Sequence, residues 1–536
     1  MFESHRSGRF ALLLGLAALA YACSAAPAPA DLDFSGPESE ALNADALENA
    51  TFEVAADEDT DTLDDLVVLL DGEDVTAEAD RDARRLVYAP GVLDDGERTV
   101  AVAHGPLDED EDVEPLHEWR FTVDTVPPEI DLTSPDGAVI AGEPLTIAGT
   151  TEPGATVESG GEQTTADGEG AFELMLDEAP GGTLTVVATD AAGNVADDDL
   201  ALTTVPSRVE VDELRTVHVS FCGWVTPSLR DPILEQIDQG LINAVQLDIK
   251  DETGKIGPDT DLEIAQQTGA ASADCDIDLP AAVEELHDLG VPVIGRIVAF
   301  ADPVVARWAW DNGERDWVTQ TSGGEMFVGK YAGFTNFAHP DIIEYNIGVA
   351  EEAAAAGVDH ILWDYLRKPD GPFEQFRFVG LETSAEESIA EFVRMADERL
   401  APYGVQHGAS LYGVSADRPT EVSQDVEVLA DYLDYVSPMI YPSHWGPGEY
   451  DVADPLHQPY DMVEATLEVW LEATEGKRAR VVPWLEDSQY PVTLGFPDRA
   501  RYVREQIEAT YDAGINEWLL WDSSVKYTTS AMLQPE

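Results

Sequence analysis

Lysine is scarce in this chain: it occurs at six positions, 250, 255, 330, 368, 477 and 526, among 536 residues. Lysine and arginine together number 29 against 107 aspartates and glutamates, a formal net charge of -78. Phosphates would be repelled by such a chain, so nucleic acid is not an expected partner. The acid excess is spread along the whole length rather than gathered in a tail. That distribution suits salty surroundings, where screening makes self-repulsion tolerable. Cysteine is almost missing, with only Cys23, Cys222 and Cys275. Neither C-x-x-C nor His-x-His spacing occurs, so no structural zinc and no cofactor is expected. No G-x-G-x-x-G follows a strand-like run, which argues against a dinucleotide-binding sheet.

What is present begins with His5, Arg6 and Arg9, an apolar run from Phe10 to Ala20, and Tyr21-Ala22-Cys23. A basic start, a short apolar core and small residues at the cut mark residues 1–22 as a secretory signal, too short for a stable membrane span. A Cys directly after small residues resembles the lipobox of bacterial lipoproteins, although Ala20 stands where Leu is usual. The resemblance implies lipidation at Cys23, a tether over 23–39 rich in Ala, Pro, Ser and acid, and an extracytoplasmic, membrane-anchored or secreted location. Export puts Cys222 and Cys275 in an oxidising compartment, where a disulfide and two free buried thiols are both open readings.

Residues 40–125 carry short alternating runs, at 50–54, 66–70, 85–88, 99–102 and 119–123, broken by Asp71-Gly72 and Asp95-Gly96. Period-two patterning with such turns predicts antiparallel strands and one β-sandwich. Asp57, Asp59 and Asp61 alternate like a calcium loop but lack its glycine and distal glutamate, so a solvated acidic loop is expected. Val126-Pro127-Pro128 then punctuates the chain. In 126–206, the strings "TEPGATV" and "ATDAAGNVA" resemble bacterial immunoglobulin-like repeats, and "LLDGEDVT" and "WRFTVDT" in the first unit resemble them more loosely. The expectation is two immunoglobulin-like β-sandwich domains acting as spacers.

From Thr216 the period changes. Strand-like runs at 216–221, 244–249, 291–298, 360–364, 406–412, 435–441, 479–484 and 517–521 alternate with helix-like segments near 228–240, 279–289, 302–309, 341–356, 384–400, 422–433, 459–474 and 498–513. Eight such units within 207–536 predict a (β/α)8 TIM barrel, with a doubly wound sheet as the alternative. Only Thr528 to Glu536 remain for an eighth helix.

A barrel gathers its C-terminal strand tips on one rim, and here those tips repeat aromatics and carboxylates: Trp224, Asp248, Arg296, Asp364-Tyr365 with Arg367, Tyr412, Tyr441 with His444 and Trp445, Trp484 with Glu486, and Trp521-Asp522. Ring faces of a sugar stack on Trp and Tyr while its hydroxyls bond to Asp, Glu and Arg. Glycosidic cleavage needs two carboxyls. Asp364 is the expected nucleophile or cation stabiliser, with Arg296 and Arg367 to hold it ionised. Glu486 is the expected general acid, Asp248 and Asp522 are reserves, and Lys250 is expected to pair with Asp248 or Asp251. The aromatic and cationic residues of the rim, with His444, are expected to bind substrate.

The strings "NAVQLDIKDETGKI", "GVPVIGRIVAFAD", "GVDHILWDYLRKP", "DYVSPMIYPSHWGPGEY", "PYDMV" and "PWLED", spread over about 215–530, resemble a bacterial secreted family of glycoside-hydrolase-like TIM barrels. The resemblance implies a polysaccharide or glycoconjugate substrate and puts Asp364 at the family's strand-four Asp. Two departures are visible: Lys368 stands where Phe is frequent, and Ser410 stands where relatives often carry an Asp on strand five. A non-catalytic carbohydrate-binding barrel is the rival reading, and a metal-dependent hydrolase using His218, Asp248 and His444 is a third.

Overall fold

The computed structural model describes residues 32–56, 63–106, 114–135, 137–330 and 332–533. The signal segment, Cys23, and the trio Asp57, Asp59 and Asp61 lie outside the described residues. The chain divides into two compact units, one of residues up to 131 with 149–172 and 186–198, the other of 132–148, 173–185 and 199 onward.

In the first unit Leu66–Leu70 pairs antiparallel with Gly96–His104, which pairs in turn with His117–Val123. Alternate residues of these strands, among them Val68, Val100, Val102 and Phe121, share a core with Phe52, Val54, Leu86 and Tyr88 of a second sheet. Asp71 and Gly72 have φ of 51° and 87°, the two left-handed residues that a two-residue hairpin requires. Further along, Thr156–Ser159 pairs antiparallel with both Glu162–Thr165 and Gly182–Thr189.

The second unit contains the barrel: β1 (Arg215–Val219), β2 (Ala244–Lys250), β3 (Val293–Val298), β4 (His360–Asp364), β5 (Gln406–Tyr412), β6 (Tyr435–Ile440), β7 (Trp484–Glu486) and β8 (Trp518–Trp521). Each strand pairs parallel with the next, and β8 pairs with β1, so the sheet closes. That last ladder closes the barrel directly, and among the described residues the one-turn helix Thr529–Met532 follows β8. Two segments differ from expectation. The run 479–484 is split, with Arg480–Val481 pairing to β6 and the strand resuming after Pro483, which has no N–H to give a ladder. The helix expected over 422–433 shrinks to Val426–Leu429.

Strand alternation places the chemistry. Ala244, Ile294, Leu362, Tyr435, Trp484 and Leu519 form one buried cluster, while the residues between them, such as Val245, Leu485 and Leu520, belong to the larger cluster shared with the helices. Two residues beyond Ile294 and Leu362, with the same parity, come Arg296 and Asp364. Outside the barrel Cys222 and Cys275 are joined by a disulfide, Cα atoms 5.2 Å apart, which decides between the two readings of those thiols.

Candidate active site

β4 ends on Asp364, and Tyr365 turns the chain with φ of 53°, a left-handed conformation uncommon for a residue with a bulky side chain. The Tyr365 amide donates to Asp364 Oδ1 at 2.7 Å. Arg296 donates to Asp364 Oδ2 from Nε at 2.9 Å and Nη2 at 2.7 Å, and from Nη1 to Asp248 Oδ1 at 2.8 Å. The other oxygen of Asp248 meets His218 Nε2 at 2.9 Å. Both carboxylates are buried, at 2% and 3% exposure. Burial alone would raise Asp248, but the His218 and Arg296 contacts outweigh it and hold this carboxyl below its usual range. Burial opposes the charge on Arg296 too; Asp248, Asp364 and Glu252 overcome it and raise the guanidinium pKa well above normal. The Trp484 ring lies 5.8 Å from the Arg296 Cζ.

Glu252, in the loop after β2, approaches the same guanidinium at 3.3 and 3.4 Å, and its side chain remains 41% exposed. Sequence reasoning passed over it, although it stands inside "DIKDETG". Its loop is fixed by a charge pair that also departs from expectation. Lys250 pairs with neither Asp248 nor Asp251 but with Asp302 at 2.8 Å, both side chains fully buried, and it also donates to Asn346 Oδ1 at 2.9 Å and the Ala299 carbonyl at 3.2 Å. The ladder shifts register between Asp248 and Lys250, which turns this lysine away from the arginine. Gly254 closes the turn at φ 77°, and a Cβ there would come within 2.5 Å of Asp302 Oδ1.

Tyr441 and Trp521 stack with centroids 5.7 Å apart and planes at 24°, both partly exposed. His444 lies 5.7 Å from Tyr441 and 6.1 Å from Tyr490. Burial, then the neighbouring Asp364 charge, pushes the Tyr441 hydroxyl well above its ordinary pKa. The remaining predicted binders disperse. Arg367 is buried between the rings of Tyr365 and Tyr412, 5.0 and 4.4 Å from their centroids, and bonds to the Lys368 carbonyl and Asp370 rather than to Asp364. Trp445 packs on Tyr450. Trp224 is 3% exposed in the outer core with Arg230 over its ring, because the chain turns into the helix Phe221–Trp224 directly after β1.

Glu486 and Asp522 are each held by neighbours of their own, while the Tyr441 hydroxyl feels the charges of both Asp364 and Glu486. Glu486 is 1% exposed and accepts from Ser443 Oγ at 2.9 Å, the Tyr502 hydroxyl at 3.0 Å and Ser488 Oγ at 3.1 Å. Asp522 accepts from Arg499 at 3.0 Å and from the amide and hydroxyl of Ser524. Both carboxylates hold loops in place, and neither shares a hydrogen-bond partner with Asp364. His218, Asp248 and His444 form no ion-sized set. Among the described residues the group that does is Asp124, Glu152 and Asp190, in the first unit.

Residues 216–527 match the family described as "Putative glycosyl hydrolase domain". The chain belongs to this family. Residues 133–205 match the bacterial Ig domain. No curated protein matches the sequence. Among solved structures, the PgaB (BpsB) glycoside hydrolase domain from Bordetella bronchiseptica is 16% identical, with a TM-score of 0.43 over 58% of this chain and 95% of that one. A chitinase from Chromobacterium violaceum is 12% identical, with a TM-score of 0.35 over 59% and 96%. A hypothetical protein from Ruminiclostridium thermocellum is 25% identical, with a TM-score of 0.32 over 36% and 96%. In this glycosyl hydrolase domain the cluster of carboxylates on Arg296 occupies the C-terminal strand ends, where barrel enzymes carry their chemistry.

Proposed function

We propose that the protein is an exported glycoside hydrolase, anchored through Cys23, that cleaves a polysaccharide or cell-surface glycoconjugate at the Asp364 end of the barrel. The observation that carries this reading is the pairing of Asp248 and Asp364 on one guanidinium at the strand tips, near the partly exposed ring platform of Tyr441 and Trp521. A sugar ring stacks on such a platform, and the neighbouring Asp364 carboxylate stabilises or captures the developing oxocarbenium ion. The Cys222–Cys275 disulfide supports life outside the cytoplasm. The low exposure of Asp364 is what the rival, a non-catalytic sugar-binding barrel, has in its favour. Reducing ends released from a polysaccharide panel separate the two: the wild type releases them and Asp364→Asn does not. Sugar binding without release by the wild type would favour the binder. Mass analysis of the mature N-terminus tests the anchor.

A further inference from the structure

We infer that Glu252 is the proton donor of this site and that cleavage retains the anomeric configuration. This inference rests on the glycosidase reading above. Three carboxyls converge on Arg296, and they are not equivalent. Asp248 and Asp364 take contacts of 2.7 to 2.9 Å and are almost wholly buried, whereas Glu252 sits at 3.3 to 3.4 Å and is 41% exposed. A proton donor has to reach the leaving oxygen and afterwards meet water, and of the three only Glu252 has a free face and a loose hold. The other acids at the strand tips are committed elsewhere: Glu486, Asp487 and Asp522 to hydroxyls, amides and Arg499, and Asp251 to Thr253.

The spacing favours the shorter, retaining arrangement. Arg296 Nη2 touches Asp364 Oδ2 at 2.7 Å and Glu252 Oε2 at 3.4 Å, so those two oxygens lie at most about 6 Å apart. Inverting enzymes need roughly 6.5 to 9.5 Å between carboxyls to admit a water, and retaining enzymes hold them about 5 to 5.5 Å apart. In the first step an Asp364 oxygen forms a bond to the anomeric carbon as the glycosidic C–O bond breaks, and the departing oxygen takes the Glu252 proton. In the second, Glu252 takes a proton from water, whose oxygen bonds to the anomeric carbon and releases the Asp364 carboxylate. The Lys250–Asp302 pair holds the loop that carries Glu252 in place while its side chain moves.

The test uses the full chain, Glu252→Gln, and two series of aryl glycosides, dinitrophenyl and methylumbelliferyl, across common sugars. Loss of the acid should slow the poorer, methylumbelliferyl leaving group by about 100-fold or more, with dinitrophenyl glycosides cleaved far less affected. Azide should yield a glycosyl azide of unchanged anomeric configuration. An equal loss on both series, no loss on either, or an inverted product overturns the assignment alone. A wild type that cleaves neither these glycosides nor any polysaccharide overturns the glycosidase reading and this inference with it.

Discussion

Arg296 gives two of its donors, Nε and Nη2, to a single oxygen of Asp364, leaving the other oxygen to the Tyr365 amide. The guanidinium therefore fixes the carboxylate by shape as well as by charge. Arg296→Met strands Asp248 and Asp364 as buried charges, and the loss expected in urea unfolding is about 3 to 5 kcal/mol. Arg296→Lys keeps the charge without the fork and should lose more activity than stability. Equal activity in Arg296→Lys would contradict the positioning role.

Acid sensitivity should come partly from His360. Its ring is buried at the start of β4, 5.8 Å from Tyr435, and burial, with Arg480 and Arg208 adding to it against Asp359 and Asp434, pushes its pKa down to about 4. An unfolded chain protonates near 6.5. Between that pH and about 4 the unfolded state takes up a proton that the folded state refuses, so stability is full above 6.5 and falls with pH by about 3 kcal/mol. Urea midpoints at several pH values should show this slope flattened in His360→Phe, and an unchanged slope would count against it.

Reduction of Cys222–Cys275 opens a loop with a sequence separation of 53 residues that includes the Glu252 turn. The chain-entropy account gives a cost of about 4 kcal/mol. Thermal unfolding with and without reductant measures it, and Cys222→Ser should match the reduced wild type.

Glu486→Gln separates a scaffold from a proton donor. With Tyr502, Ser443 and Ser488 all donating to the carboxylate, the substitution is expected to cost about 1 to 3 kcal/mol in stability. Activity should fall by the same factor on good and poor leaving groups. A loss confined to poor ones would make Glu486 the acid.

The sequence made the barrel legible because its strands are short apolar runs after glycine-ended helices, and β4 and β5 fall on the expected residues. Asp364 was legible because it ends the strand-like run 360–364, and a barrel gathers such tips on one rim. Linear order does not encode what a tip carboxylate meets. Glu486 is met by Ser443, 43 residues before it, and by Tyr502 on a later helix, and nothing local announces either contact. Trp224 and Trp484 share the aromatic signature of Tyr441 and Trp521 yet are buried, because a short helix and the barrel interior take them. Glu252 was overlooked because its approach to Arg296 depends on the pairing of Lys250 with Asp302, some 50 residues on.

The most direct measurement compares hydrolysis and binding of one oligosaccharide by the wild type and Asp364→Asn. The account predicts that release of reducing ends falls by at least about 1000-fold while the dissociation constant stays within about threefold, since the ring platform is untouched. Undiminished hydrolysis by Asp364→Asn would contradict it.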